Sequence, residues 1–206
     1  AQPDALKGTL PNALKSCHPT MFLGVPRVWE KISEAMKAKV RADPPTGIKL
    51  KIARWAKGKG KVNAYSKQLG GDGQTPRFFG IAKKLVFAKV RAALGLDECE
   101  YAFTGAAPIT VETLEYFGQL GIQVNEVYGM SECTGATTWS TDRWHRWGSC
   151  GFEMPGTEVK VDHNAERGDK EGEGELCYKG RHIMLGYMAN PDLGAEHVAA
   201  IEQKNR

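Results

Sequence analysis

The chain has 206 residues, of which 41% are hydrophobic and 25% charged, a balance that supports a buried core and excludes a disordered tail, a collagen-like repeat or a stapled miniprotein. At this length roughly 70% of the unfolded chain's surface is buried on folding, enough for one large domain or two small ones. The net charge of +4 conceals a division: residues 1–100 carry 19 Lys and Arg against 8 Asp and Glu, a net of +11, whereas residues 101–206 carry 9 against 16, a net of −7.

The five cysteines, Cys17, Cys99, Cys133, Cys150 and Cys177, are odd in number and form no Cys-x-x-Cys pair. They argue against a disulfide framework or a ribbon-type zinc site and fit a reducing compartment. The opening AQPDALKGTL lacks the charged-then-apolar pattern of a signal peptide, and no apolar run approaches the roughly 18 residues of a membrane span. A cytoplasmic location is therefore expected. The chain opens without Met and stops at Gln203-Lys204-Asn205-Arg206 with no closing element, as expected of a piece of something longer.

In chain order, Thr20–Val25 reads as a short strand ended by Pro26, and RVWEKISEAMKAKV as a helix with Val28, Ile32, Ala35, Met36 and Val40 on one face. Pro44-Pro45 ends it. A Lys-rich helix then runs to about Leu69, and between Lys37 and Lys67 ten basic residues meet one acid, Asp43. Ile48, Ile52 and Trp55 share one face of this helix. Three readings stand for the stretch: a solvated face whose Lys stems cover apolar surface, a contact with anionic lipid at a membrane surface, and, last, nucleic-acid binding, which the acidic second half opposes.

GGDGQTP reads as a loop, and FFGIAKKLVFAKVRAALGL as a single helix capped at Gly95. Tyr101–Thr104 is a buried strand running into Gly105-Ala106-Ala107-Pro108. Thr110 caps a helix, VETLEYFGQL, with Glu112 in its first turn, and Gly121–Val127 is the next strand. The result is a βαβ unit, and in open α/β sheets ligands bind at the carboxyl ends of the strands, which nominates residues 104–108 and 128–132. From Cys133 on the chain turns to short strands at 158–162, 174–180 and 184–187, joined by a polar, mobile loop, DHNAERGDKEGEG.

Val127-Tyr128-Gly129-Met130-Ser131-Glu132 is the richest cluster for chemistry. Tyr offers a stacking face, Gly a close backbone approach, Ser a hydroxyl and Glu a hard oxygen for Mg²⁺, which suits a nucleotide with its metal. A hydrolase elbow, Gly-x-Ser-x-Gly, fails because Cys133 stands where the second Gly belongs. A plain turn whose Glu faces water remains the alternative. Trp139, Trp144 and Trp147 read as loop aromatics packing on the domain surface, and the spacing of His145 from Cys133 and Cys150 matches no zinc pattern.

Six blocks stand in a recognisable order: GVPRVWEKI (24–32), KLVFAKVRAALGLD (84–97), TGAAPIT (104–110), NEVYGMSE (125–132), MPGTEVKV (154–161) and GEGELCYKGRHIMLGYM (172–188). With them the chain resembles the middle of a long-chain fatty acyl-CoA synthetase (AMP-forming) of the bubblegum-like group in the adenylate-forming superfamily. The resemblance implies an α/β fold: part of a layered α/β ligand-binding domain with a parallel sheet over residues 1–134, then an incomplete β-rich, barrel-like subdomain over 135–206. It implies that Gly105, Ala106, Ala107 and Pro108 sandwich adenine against Tyr128 and Gly129, and that Glu126, Val127, Met130 and Ser131 also belong to the ATP- or AMP-binding residues. Ser131 then meets the α-phosphate and Glu132 binds Mg²⁺, these two forming the catalytic pair.

The implied reaction joins a fatty acid to ATP as an acyl-adenylate and passes the acyl group to CoA, with ATP, Mg²⁺ and CoA as cofactors and cosubstrates. It also implies a cytoplasmic enzyme, peripheral on the endoplasmic reticulum or another cytosolic membrane face, with no nucleic-acid partner. The family's phosphate loop, ribose-binding Asp and Lys-bearing C-terminal domain find no counterpart in these residues, so this piece alone is expected to be inactive. Two further readings stay open: an adenylate-forming fold that has lost catalysis and binds lipid or nucleotide, and a basic module for membranes or nucleic acid.

Overall fold

The computed structural model describes residues 8–205. Two compact units form: one runs to Val127 and takes in Trp139–Gly151, and the other comprises Tyr128–Thr138 and the stretch from Phe152 onward.

In the first unit, β1 (Met21–Gly24), β2 (Tyr101–Thr104) and the start of β3 (Val124–Met130) lie parallel in that order, with Gly24 opposite Thr104 and Thr104 opposite Glu126. Parallel neighbours need crossovers, and helices supply them. After α1 (Leu10–Cys17) and β1, the first crossover contains α2 (Pro26–Ala42), α3 (Gly47–Ser66), α4 (Phe79–Ala82) and α5 (Ala88–Leu94); α6 (Val111–Gly118) makes the second. Pro26 at the first turn starts α2. Thr110 starts α6 by accepting the Thr113 N–H at 3.3 Å, and Gly95, in the left-handed region at φ 72°, stops α5.

The segment expected as one helix over 78–96 is interrupted by a π-helical turn at Lys83–Phe87, and Phe87 is buried with Ala56 and Ala82. The expected strand at Gly121–Val127 starts later, at Val124, because Gly121 takes φ 72° in the turn after α6; it then extends through Tyr128 and Gly129 to Met130. Those residues belong to a strand rather than a loop.

The seam of α2 is rotated from the expected face: Pro26, Trp29 and Ser33 are buried, while Val40 is exposed. The Trp29 indole decides this, since its Nε1–H donates to both Gly24 O and Phe103 O at 3.1 Å. Its ring packs edge-on against Phe22 and Phe117, with centroids 5.2 and 4.9 Å away. Leu96, Ala102, Leu114, Ile122 and Val124 complete this core. The helix α3 buries only small residues, Ala56, Gly60, Asn63 and Ala64, and Ile48, Ile52, Trp55 and Val62 stay exposed. Lys37 and Lys61 reach the acids of α6, Glu112 and Glu115, so part of the charge division is internal pairing.

The aromatic-rich stretch after Cys133 departs from the surface-loop expectation. It contains strand β4 (Gly135–Trp139), which follows β3 in the sheet with β5 (Phe152–Glu153) beyond it. Trp147 joins the core, its ring edge-on to Tyr65 at 5.1 Å and its backbone N–H donating to Gln68 Oε1 at 2.9 Å. Trp139 stacks on Phe103, and Trp144 is exposed.

In the second unit β6 (Thr157–Asp162) and β7 (Glu175–Gly180) form an antiparallel pair. The loop between them, expected to be mobile, is stapled: Arg167 donates to Glu175 Oε2 at 2.8 Å and to Asp162 O at 2.7 Å. No strand forms at 184–187; an isolated bridge between Cys133 and Ile183 is the local pairing. Helix α7 (Ala195–Lys204) follows, with Glu196 in its first turn and Lys204 in its last, as the helix dipole favours. Among the described residues no helix is long and apolar enough to cross a membrane.

Candidate functional site

Two segments leave the carboxyl ends of adjacent parallel strands. The first, Gly105–Pro108, follows β2, and its shape is set by backbone. A side chain at Gly105 would place its Cβ 2.9 Å from Val127 O, so only Gly lets the turn lie against β3. Ala106 adopts φ 70°, a conformation that L residues with a Cβ populate sparsely and that clusters at functional sites. Ala106, Ala107 and Pro108 are exposed. Behind them Thr104 is buried, and its hydroxyl has no hydrogen-bond partner among the described residues.

The second segment begins inside β3. Glu126 is buried, with its N–H on Ser140 Oγ at 2.8 Å and its carboxylate accepting the Gly148 N–H at 2.9 Å. Burial pushes its pKa up, against the pull of the backbone donors of Gly148 and Ser149. Its side chain is thus engaged in the 148–149 loop. Val127 follows, half-buried, at the edge of the first unit.

Tyr128 stacks on Tyr178 with centroids 6.0 Å apart, and its carbonyl accepts the Thr137 hydroxyl at 3.2 Å. A Cβ at Gly129 would fall far inside contact with Gly135 O, so the chain itself already requires Gly there, independently of any ligand. Met130 is half-buried and Ser131 exposed.

Glu132 comes next, and the structure gives it a partner that spacing alone could not nominate. The Tyr187 hydroxyl donates to Glu132 Oε1 at 2.6 Å. That bond holds the carboxyl below its ordinary range and raises the Tyr187 phenol. Glu132 O accepts the Met184 N–H at 2.8 Å, and Thr134 N donates to His182 O at 3.1 Å, so 132–134 is pinned to 182–184.

Residues 1–188 match the family described as AMP-binding enzyme. The chain belongs to that family. Among curated relatives of the AMP-binding enzyme family, it is 50% identical over 188 residues to the long-chain-fatty-acid–CoA ligase ACSBG2 of Gallus gallus, covering 91% of this chain and 24% of that protein. It is 43% identical over 189 residues to the ligase of the same name from Homo sapiens, covering 91% and 27%. With the long-chain-fatty-acid–CoA ligase ACSBG1 of Bos taurus the identity is 39% over 203 residues, covering 97% and 26%. The chain thus spans about a quarter of the length of the curated relatives it matches.

A solved structure of the A domain of a carboxylic acid reductase from Segniliparus rugosus, in complex with AMP and a co-purified carboxylic acid, is 20% identical with a TM-score of 0.56. The match covers 95% of this chain and 25% of that one and establishes the shared α/β fold. Sequence reasoning reached the family through the ordered blocks and nominated Thr104 with the turn that follows it, and it missed the pairing of Tyr178 and Tyr187 with the strand end. The two tyrosines lie far along the chain, and only the folded second unit brings them to Tyr128 and Glu132.

Proposed function

We propose that the chain is a central segment of an ATP-dependent long-chain fatty acid–CoA ligase. The observation that carries this reading is the placement of the Thr-Gly-Ala-Ala-Pro and Tyr-Gly-Met-Ser-Glu segments after β2 and at the end of β3, in a chain half identical to such a ligase. Gly105, Ala106, Ala107 and Pro108 offer an exposed, preshaped turn for adenine, and Glu126, Val127, Tyr128, Gly129 and Met130 are the other residues assigned to the nucleotide. Ser131 presents a hydroxyl to the α-phosphate. The carboxylate oxygen of the fatty acid attacks the α-phosphorus, the Pα–O–Pβ bond breaks and pyrophosphate leaves. The thiol of CoA then attacks the acyl carbon, loses its proton, and AMP departs. Such displacements need positioning and charge neutralisation more than a protein nucleophile.

Glu132 fits Mg²⁺ by its chemistry. Its Oε1 is held by the Tyr187 hydroxyl, and the described residues hold no group of three or more His, Cys, Asp or Glu that could bind a metal by themselves. Mg²⁺ is bound in just this manner, through one or two carboxylates completed by substrate phosphates. When bound it neutralises charge on the phosphates. Glu132→Ala in the complete ligase should abolish Mg²⁺-dependent, fatty-acid-stimulated ATP–pyrophosphate exchange; unchanged exchange refutes the metal role.

The exposed row of Ile48, Ile52, Trp55 and Val62 on a helix with Lys49, Lys51, Arg54 and Lys59 and no acid supports a peripheral contact with anionic lipid on a cytosolic membrane face. Binding to liposomes containing phosphatidylserine should fall with salt and with Trp55→Ala; salt-insensitive or absent binding removes this part of the reading.

A further inference from the structure

We propose that Tyr187 is a positioning residue for the metal-binding carboxylate: its phenol anchors Glu132 Oε1 and so holds the carboxylate in place to receive the divalent cation. This rests on the reading of Glu132 as the Mg²⁺ ligand. A glutamate has three rotatable bonds, and on a segment just past a strand end it samples many positions, so ordering it at the moment of binding costs affinity. A hydrogen bond from an outer group removes that freedom beforehand. The 2.6 Å contact is short and charge-assisted, the strong class of hydrogen bond.

An anchor works only if it is itself held, and Tyr187 is. Its N–H donates to Asn205 Oδ1 at 2.7 Å and its carbonyl accepts from Asn205 Nδ2 at 2.8 Å, so one amide just past the end of α7 clamps both backbone polar groups of Tyr187. On the other side, the Glu132 backbone is registered to the same segment through Met184 and the Cys133–Ile183 bridge. The carboxylate and the phenol, 55 residues apart in sequence, are therefore fixed to each other through main chain as well as through the side-chain bond.

The test uses the complete ligase and reads ATP binding by calorimetry across a Mg²⁺ titration, without fatty acid, so no turnover enters the measurement. Tyr187→Phe should raise the Mg²⁺ concentration of half effect about 10-fold. At saturating Mg²⁺ kcat should stay within about twofold and the melting temperature should hold, separating positioning from folding. Asn205→Ala, which keeps the phenol but releases its clamp, should shift the midpoint in the same direction by less, and it decides the matter if Tyr187→Phe does not fold. Loss of Mg²⁺ dependence in Glu132→Gln with an unshifted Tyr187→Phe overturns the role of Tyr187 and leaves the metal reading standing. Retained Mg²⁺ dependence in Glu132→Gln overturns the metal reading, and this inference with it.

Discussion

The two segments nominated for the nucleotide are held by different means. Gly105–Pro108 is shaped by main chain: a glycine pressed on Val127 O and an alanine at φ 70°, with no side-chain hydrogen bond from Gly105, Ala106, Ala107 or Pro108 among the described residues. Tyr128–Glu132 is shaped by the neighbouring Gly135 against Gly129 and by two partners distant in sequence, Tyr178 against Tyr128 and Tyr187 against Glu132. A turn of the first kind takes its shape once β2 and the Val127 end of β3 are in place. A segment of the second kind acquires its geometry only when another sixty or so residues have folded, so it is the one that distant substitutions can detune.

Substitutions at four positions sharpen that contrast, here from the largest effect to the smallest. Gly129→Ala drives a Cβ into the Gly135 carbonyl, a backbone atom with nowhere to go, and should cost about 3 kcal/mol in denaturant unfolding. Gly105→Ala places its Cβ 2.9 Å from Val127 O and should cost less, about 1–2 kcal/mol, because the exposed turn can shift outward. A Gly105→Ala loss equal to that of Gly129→Ala would show that the turn is as rigid as the strand pair.

Glu126→Gln gives a pH signature in the opposite direction. Burial raises the Glu126 pKa in the folded state, so the folded chain binds this proton more readily than the unfolded chain, and stability is lost as pH rises through the folded value. Glutamine keeps an acceptor for the Gly148 N–H without the buried charge. The variant should be more stable than the parent at pH 7, and the advantage should vanish near pH 4, where the unfolded carboxyl also protonates. An advantage that persists unchanged at pH 4 would trace to packing instead. Ala106→Gly is the mildest change: relief at φ 70° is offset by the freer unfolded chain, for a net change of about 0.5 kcal/mol or less.

Much of the first unit was legible in sequence because its signals are local. Thr110 and Gly95 mark helix ends by their own chemistry, and alternation of strand and helix implies parallel pairing whatever the details. The misreadings share a cause. Val40 falls on the apolar face of its helix by periodicity, yet α2 is seated by Trp29, whose ring and indole N–H decide which side is buried. Trp147 looked like loop because its partners, Tyr65 and Gln68, come from a helix end about 80 residues earlier. Of the candidate site, the segments at the strand ends were legible and the tyrosine that meets Glu132 was not, since no spacing rule reaches across 55 residues.

The indole of Trp29 also bears on how the chain folds. One of its two acceptors, Gly24 O, is five residues away, and the other, Phe103 O, is 74 residues away. Half of that bond is available to a nascent helix α2 emerging beside β1, but the ring cannot be sealed until β2 has been made and has travelled back. Closing so long a loop carries an entropic cost before any contact repays it, so this second half of the bond is made late. A chain halted before Phe103 would hold its central tryptophan half-docked, with the flank of β1 open to any other strand that arrived first.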